Sequence, residues 1–149
     1  MTNHTFKQYD PEDHNFVYQT KKIVYQKYVE QNWGEWVEEK QQEMFINFIN
    51  AYKNDIQIIL VDDEKIGFWH GNNIDKNNFE LGNICILPNF QGKGIGTKIM
   101  QQILENHKTQ NIHLQYFKQN PVERLYKRLG FEKRDETEFH IKMILKKQI

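Results

Sequence analysis

The run Gln91-Gly92-Lys93-Gly94-Ile95-Gly96 has the composition of an anion-binding turn. Glycines let a backbone approach a phosphate closely and adopt positive φ. The run opens a helical pattern, and the first amides of a helix have no intrahelical acceptor, so they and the helix dipole favour a negative group there. Lys93 would add charge attraction or simply be solvated. A second candidate is Trp33-Gly34-Glu35-Trp36, where two indoles flank a glycine and a carboxylate. Two readings stand for the indoles: a wall that holds a cationic amine by cation–π attraction, or plain core. Glu35 would bind the same cation. His70 and His113 are isolated, a setting in which histidine is more often structural. Cys85 alternates with Ile84 and Ile86 and has no adjacent histidine, so it reads as a small buried hydrophobe rather than a nucleophile.

The elements that must carry these residues are legible in the periodicity. Thr5 to Tyr9 reads as a strand, and Asp10-Pro11-Glu12-Asp13 as a turn and helix start. From His14 to Gln31 a helical stripe runs through Val17, Val24 and Tyr28, with Ile23 beside it. After the tryptophan elbow, Val37, Met44, Phe45 and Phe48 fall at offsets 0, 7, 8 and 11 of a second helix. Ile56 to Val61 is a strand, Asp62-Asp63-Glu64-Lys65 its turn and Ile66 to His70 the hairpin partner. An asparagine-rich turn around Asn72-Asn73 precedes a strand over Phe79 to Leu87. A helix follows the glycine turn, with Ile95, Ile99 and Ile103 at spacing four. Ile112 to Phe117 is another strand. Asn120, Pro121 and Glu123 read as N-cap, N1 and N3 of a last helix. Leu125 and Leu129 share its face and Gly130 suits C′. From Phe131 the pattern is extended, through Phe139, Ile141, Met143 and Leu145. The order β-α-α-β-β-β-α-β-α-β predicts an α/β chain with a mixed sheet and helices on both faces.

This layout and its motifs resemble the GNAT family, the acyl-CoA-dependent N-acyltransferases, over nearly the whole chain. The family signature Gln/Arg-x-x-Gly-x-Gly/Ala stands here as Gln91, Gly94 and Gly96, after a strand that ends in Ile86-x-Pro88. A second block runs from Asn120 through Tyr126 to Gly130 and Phe131, about thirty residues on. The resemblance implies one N-acetyltransferase domain over residues 1–149, with a mostly antiparallel sheet splayed at an acyl-CoA cleft. It implies that the turn from Gln91, Gly92, Lys93 and Gly94 into Ile95, Gly96 and Thr97 cradles the pyrophosphate of acetyl-CoA. Backbone at Ile84, Ile86 and Leu87 would meet the pantetheine and acetyl group as a peptide meets a sheet edge, and an amide there would stabilise the oxyanion. Asn120 matches a contact to pantetheine or water. Tyr126 matches the general acid that protonates the departing sulfur, against the alternative of a core tyrosine. Glu80, eleven residues before Gln91, matches the base of some family members if burial raises its pKa; otherwise it is an exposed strand glutamate. Glu35 is its competitor, and Trp33, Glu35 and Trp36 would border the acceptor. No metal is implied.

Composition bounds the alternatives. With 20 basic and 20 acidic side chains the net charge is zero, which argues against a nucleic-acid partner. No apolar run approaches the ~18 residues of a membrane span, so no membrane partner is expected. The N-terminus lacks the pattern of a signal peptide, and a single cysteine fits a reducing, cytoplasmic location. The glycine spacing is not G-x-G-x-x-G, and no ribose-binding acid follows, which disfavours a dinucleotide fold. The expected activity is transfer of acetyl from acetyl-CoA to a primary amine of a small molecule by direct attack. Acetylation of a peptide amine and a non-catalytic acyl-CoA sensor are the rivals. A homodimer is open, with no interface indicated.

Overall fold

The computed structural model describes residues 3–148, in two compact units. The first holds residues 3–70 and 83–91, the second 71–82 and 92–148. The elements run β1 (His4–Gln8), α1 (His14–Trp33), α2 (Glu38–Tyr52), β2 (Ile56–Val61), β3 (Glu64–Asp75), β4 (Asn78–Ile86), α3 (Ile95–Asn106), β5 (Asn111–Phe117), α4 (Glu123–Arg128), β6 (Glu132–Glu136) and β7 (His140–Leu145). Seven strands make one mixed sheet in the order β1-β2-β3-β4-β5-β7-β6. The β4–β5 pair is parallel; the β1–β2, β2–β3, β5–β7 and β6–β7 pairs are antiparallel. No described helix is long and apolar enough to cross a membrane.

In the first unit the inward stripes of α1 and α2 meet β2, β3 and β4. Val17 and Tyr18 pack with Phe45 and Ile49, and with Ile56, Ile58, Phe68 and Cys85. Each fully buried aliphatic or aromatic side chain of this kind contributes about 1.5–3 kcal/mol. Asp10 caps the turn before α1, its side chain accepting from the Glu12 amide at 2.9 Å. Asp13 is fully buried and accepts from the ammonium groups of Lys7, at 2.5 Å, and Lys65. In the second unit Ile95, Ile99, Met100 and Ile103 form the buried face of α3. Ile112, Leu114 and Tyr116 are the buried alternates of β5.

Four boundaries differ from the sequence reading. The first hairpin turns on Asp62 and Asp63 alone, at φ 51° and 64°, and β3 already begins at Glu64. A two-residue turn with both φ positive matches strand twist, so the ladder closes earlier than the charge run implies. Asn72 and Asn73 are not a turn: β3 continues through them to Asp75. There the Asp75 carboxylate accepts from the Asn77 amide at 2.7 Å, and this local side-chain bond makes the turn. Gly71 keeps the strand going, because a Cβ there would meet the Phe79 ring at 2.4 Å. The extended segment after Phe131 is two strands, folded at Thr137, whose amide donates to the His140 carbonyl at 2.9 Å. Every residue of β6 is exposed, so it shows no apolar alternation, and its charges suit a sheet edge. Asn120 is not a helix cap. Its amide closes a turn onto the Phe117 carbonyl at 2.9 Å, and α4 starts three residues later with Val122 at the N-cap. Gly130 does follow the C-cap residue Leu129, at φ 102°.

Candidate functional site

The glycine turn takes the backbone its composition predicts. Gly92 and Gly94 sit at φ 74° and 79°, and Gly94 is the N-cap of α3. A Cβ at either position would meet nothing within 4 Å, so the strand-to-helix turn opens outward. The Lys98 amide donates to the Gly94 carbonyl at 3.2 Å as the first bond of the helix. The amides of Ile95, Gly96 and Thr97 therefore precede the intrahelical ladder, a three-donor array backed by a twelve-residue dipole. Lys93 beside them is exposed.

The end of β4 is set by alternation. The Leu87 amide donates to the Ile66 carbonyl of β3 at 2.8 Å. Successive amides on a strand point to opposite edges, so the Ile84 and Ile86 amides point away from β3. The Ile86 carbonyl lies on that same outer edge and accepts from Gln91 Nε2 at 2.8 Å. Gln91 thus fixes the exit of β4 with its side chain. Of the three backbone positions expected to serve an acyl group, Leu87 has its amide committed to the sheet. In the second unit, the β4–β5 ladder spans Asn78↔Asn111, Phe79↔Ile112 and Glu80↔His113; Ile84 and Ile86 lie outside it.

Residues 34–37 separate α1 from α2, with Gly34 at φ 94°, and Trp33 is the last residue of α1 rather than part of the elbow. Trp33 is 53% exposed, and Glu35 is exposed as well. Trp36 is half-buried against the first unit's core and donates from Nε1 to Glu38 at 3.0 Å. Glu38 also accepts from Tyr18 at 2.7 Å and from Lys22 at 2.8 Å. Its carboxyl is held down at about 2, chiefly by Lys22 and then by Tyr18. Glu38, absent from the sequence reading, is what orients Trp36.

Beneath α1 lies a second group that the sequence reading undervalued. The Lys21 ammonium sits over the Phe48 ring, 4.1 Å from its centroid. His70, 7% exposed, meets the same ring edge-on at 5.0 Å and Tyr52 at 5.1 Å. Burial, then the Lys21 charge, pushes the imidazole down to about 4. Burial also drives the Cys85 thiol up to about 12, leaving no thiolate for nucleophilic work. Lys21 was findable: Val17, Lys21, Val24 and Tyr28 fall at offsets 0, 4, 7 and 11, which puts a lysine in the buried stripe of α1.

In the second unit Tyr126 is the buried residue of α4, 9% exposed, with its ring 5.6 Å from Tyr116 and 5.9 Å from Phe131. Leu125 and Leu129 are half-buried. Glu80 is exposed rather than buried, opposite His113 on β5. Burial lowers the His113 pKa, Arg134 adding to the effect while Glu80 and Asp75 oppose it. A cavity of about 230 Å³ lies beside Leu104, Lys108 and Ile112, and none of the predicted residues lines it.

Residues 52–133 match the family model described as the acetyltransferase (GNAT) domain, a span that includes the glycine turn, β4 and Tyr126. The chain belongs to the GNAT acetyltransferase family. No curated protein sequence matches it significantly. Solved structures share the GNAT fold at low identity. PH1933 from Pyrococcus horikoshii is 20% identical, with TM-score 0.74, over 99% of this chain and 100% of that one. The PaiA N-acetyltransferase from Thermoplasma acidophilum, solved with coenzyme A, is 20% identical, with TM-score 0.69, over 98% and 99%. A histone acetyltransferase HPA2 and related acetyltransferase from Corynebacterium glutamicum is 14% identical, with TM-score 0.74, over 100% and 98%.

The structure joins Gln91 to Ile86 and Trp36 to Glu38, and it sets Glu80 opposite His113. Ile84, Ile86, Leu87, Gln91, Trp33, Glu35 and Trp36 belong to the first unit. Glu80, the residues Gly92 to Thr97, Asn120 and Tyr126 belong to the second.

Proposed function

We propose that this chain is an acetyl-CoA-dependent N-acetyltransferase acting on the primary amine of a small molecule. The observation that carries the reading is the turn with two left-handed glycines, which ends in the amides of Ile95, Gly96 and Thr97, ahead of the first intrahelical bond from Lys98 to Gly94. A pyrophosphate needs convergent donors, positive potential and room for close approach, and the turn offers all three. Gln91, Gly92, Lys93 and Gly94 would complete that cradle, and Asn120 would contact the pantetheine arm. The coenzyme A-bound relative is itself an N-acetyltransferase, which supports the same assignment.

In this reading the neutral amine attacks the thioester carbonyl. A C–N bond forms, the C–S bond breaks, and the electron pair leaves on sulfur. The outward amides of Ile84 and Ile86 are the oxyanion donors, because the Leu87 amide is bonded to Ile66. Tyr126 gives its hydroxyl proton to the thiolate, its ring held by Tyr116 and Phe131. Glu80 or Glu35, both exposed, takes the ammonium proton through solvent, and Trp33 and Trp36 border the acceptor. A cytoplasmic site of action fits the single buried thiol.

The test is coenzyme A release from acetyl-CoA against polyamines, aminoglycosides, amino acids and short peptides, with Tyr126→Phe in parallel. Amine-dependent release that drops about 10²-fold or more in the variant supports the reading. Unchanged turnover in the variant removes Tyr126 as the acid. Release with peptides alone removes the small-molecule acceptor.

A further inference from the structure

Lys21 and His70 form a two-donor group without an acceptor among the described residues. None of the ion pairs among those residues includes Lys21; its recorded partners are the faces of Phe48 and Phe45. The α2 carboxylate Glu38 is shared by Tyr18, Lys22 and Trp36. The His70 tautomer is fixed by its neighbour: Nδ1 accepts from the Asn83 amide of β4 at 3.1 Å, so the ring proton resides on Nε2. That Nε2–H has no acceptor among the described residues, although His70 is 7% exposed. The Lys21 side chain is half-buried and neither donor atom is sealed from solvent, so a ligand that supplies lone pairs here takes the place of water.

The chemistry of the group selects its ligand. It carries one full positive charge, one neutral donor and aromatic walls at Phe48 and Tyr52. A monoanion with two oxygens satisfies both donors. A phosphate dianion would be left with uncompensated charge, and an ammonium would be repelled by Lys21. The position is apt as well. His70 is bonded to Asn83, and Phe48, beneath the Lys21 ammonium, packs against the core that holds Cys85, so the group lies along the part of β4 that carries the Ile84 and Ile86 amides.

We infer that the amine acceptor also carries a carboxylate, which docks on the Lys21 ammonium and the His70 Nε2–H. This rests on the acetyl-transfer reading and narrows it to amino acids and related amino carboxylates. The carboxylate is drawn in toward Phe48, and the amine is kept out by the same positive charge.

The test uses product analogues, so that no acyl transfer is required. N-acetylglycine and its neutral counterpart N-acetylglycinamide are titrated into the full chain, and the His70 imidazole resonances are followed by NMR. The expected result is a saturable shift with N-acetylglycine and at least about tenfold weaker binding of the amide, the value of one charge-assisted hydrogen bond. Lys21→Met abolishes that preference by weakening only the carboxylate ligand. His70→Gln, which keeps one donor, weakens it less and serves if Lys21→Met does not fold. Equal binding of the two analogues, no saturable shift at His70, or a preference that survives Lys21→Met overturns the inference. Amine-dependent coenzyme A release indifferent to a carboxylate would overturn it too, while leaving acetyl transfer intact. Carboxylate-selective binding without any coenzyme A release would sink the transfer reading and leave the anion site standing.

Discussion

Gly94→Ala separates the geometry of the turn from the stability of the fold. Gly94 sits at φ 79°, ψ −4°, and a Cβ there meets nothing within 4 Å. Steric clash is therefore absent, and only the left-handed conformation is penalised, by about 1–2 kcal/mol for an L-residue. Loss of the glycine's freedom in the unfolded chain returns about 0.4–1 kcal/mol. The net cost is about 1 kcal/mol, a fall in Tm of roughly 2–4 °C for a chain of this size. Binding should suffer more. Alanine relaxes toward negative φ, which rotates the peptide planes leading into the amides of Ile95 and Gly96. Losing one hydrogen bond to a charged phosphate costs about 1.5–3 kcal/mol, so coenzyme A affinity should fall about tenfold or more. Differential scanning calorimetry and calorimetric titration of coenzyme A read the two effects separately. A normal coenzyme A affinity alongside the small Tm loss would refute the turn as the phosphate cradle. An unchanged Tm would refute the strain argument.

Further consequences concern the first unit. His70 has a folded pKa of about 4 against 6.5 ordinarily, so the unfolded chain takes up the proton first. The stability this provides is complete above pH 6.5 and is lost as pH falls toward 4, by about 3 kcal/mol; denaturant titrations across that range should show the slope, and His70→Gln should flatten it. Cys85, fully buried with its thiol up at about 12, should resist iodoacetamide until the protein unfolds, and Cys85→Ala should retain transfer activity. Asp63→Gly should raise stability by about 1 kcal/mol, measured by urea midpoint, because it relieves a left-handed aspartate in the first hairpin turn.

The parts of the fold legible in the sequence are those whose buried faces repeat cleanly. α3, with isoleucines every fourth residue, and β5, with strict alternation, both fall where the pattern puts them. The glycine turn was legible because its conformation demands the residue type. What escaped notice is governed by side-chain hydrogen bonds and long-range pairing. The turn at Asp75 and Asn77 looks no more turn-like than Asn72-Asn73 until the Asp75 carboxylate is seen to accept the Asn77 amide. β6 carries only exposed charged residues and is a strand because β7 pairs with it. Glu38 looks like any surface glutamate; only the fold brings Tyr18, Lys22 and Trp36 to it. Lys21 did leave a trace, as the one charge in an apolar stripe, but its meaning required Phe48 and His70 to be placed around it.

The most direct test of the account is mass spectrometry of the amine after incubation with the protein and acetyl-CoA. The account predicts that an amino carboxylate gains one acetyl group on nitrogen, in step with free coenzyme A and only with intact protein. Coenzyme A that binds tightly while every amine in the panel keeps its original mass would contradict it.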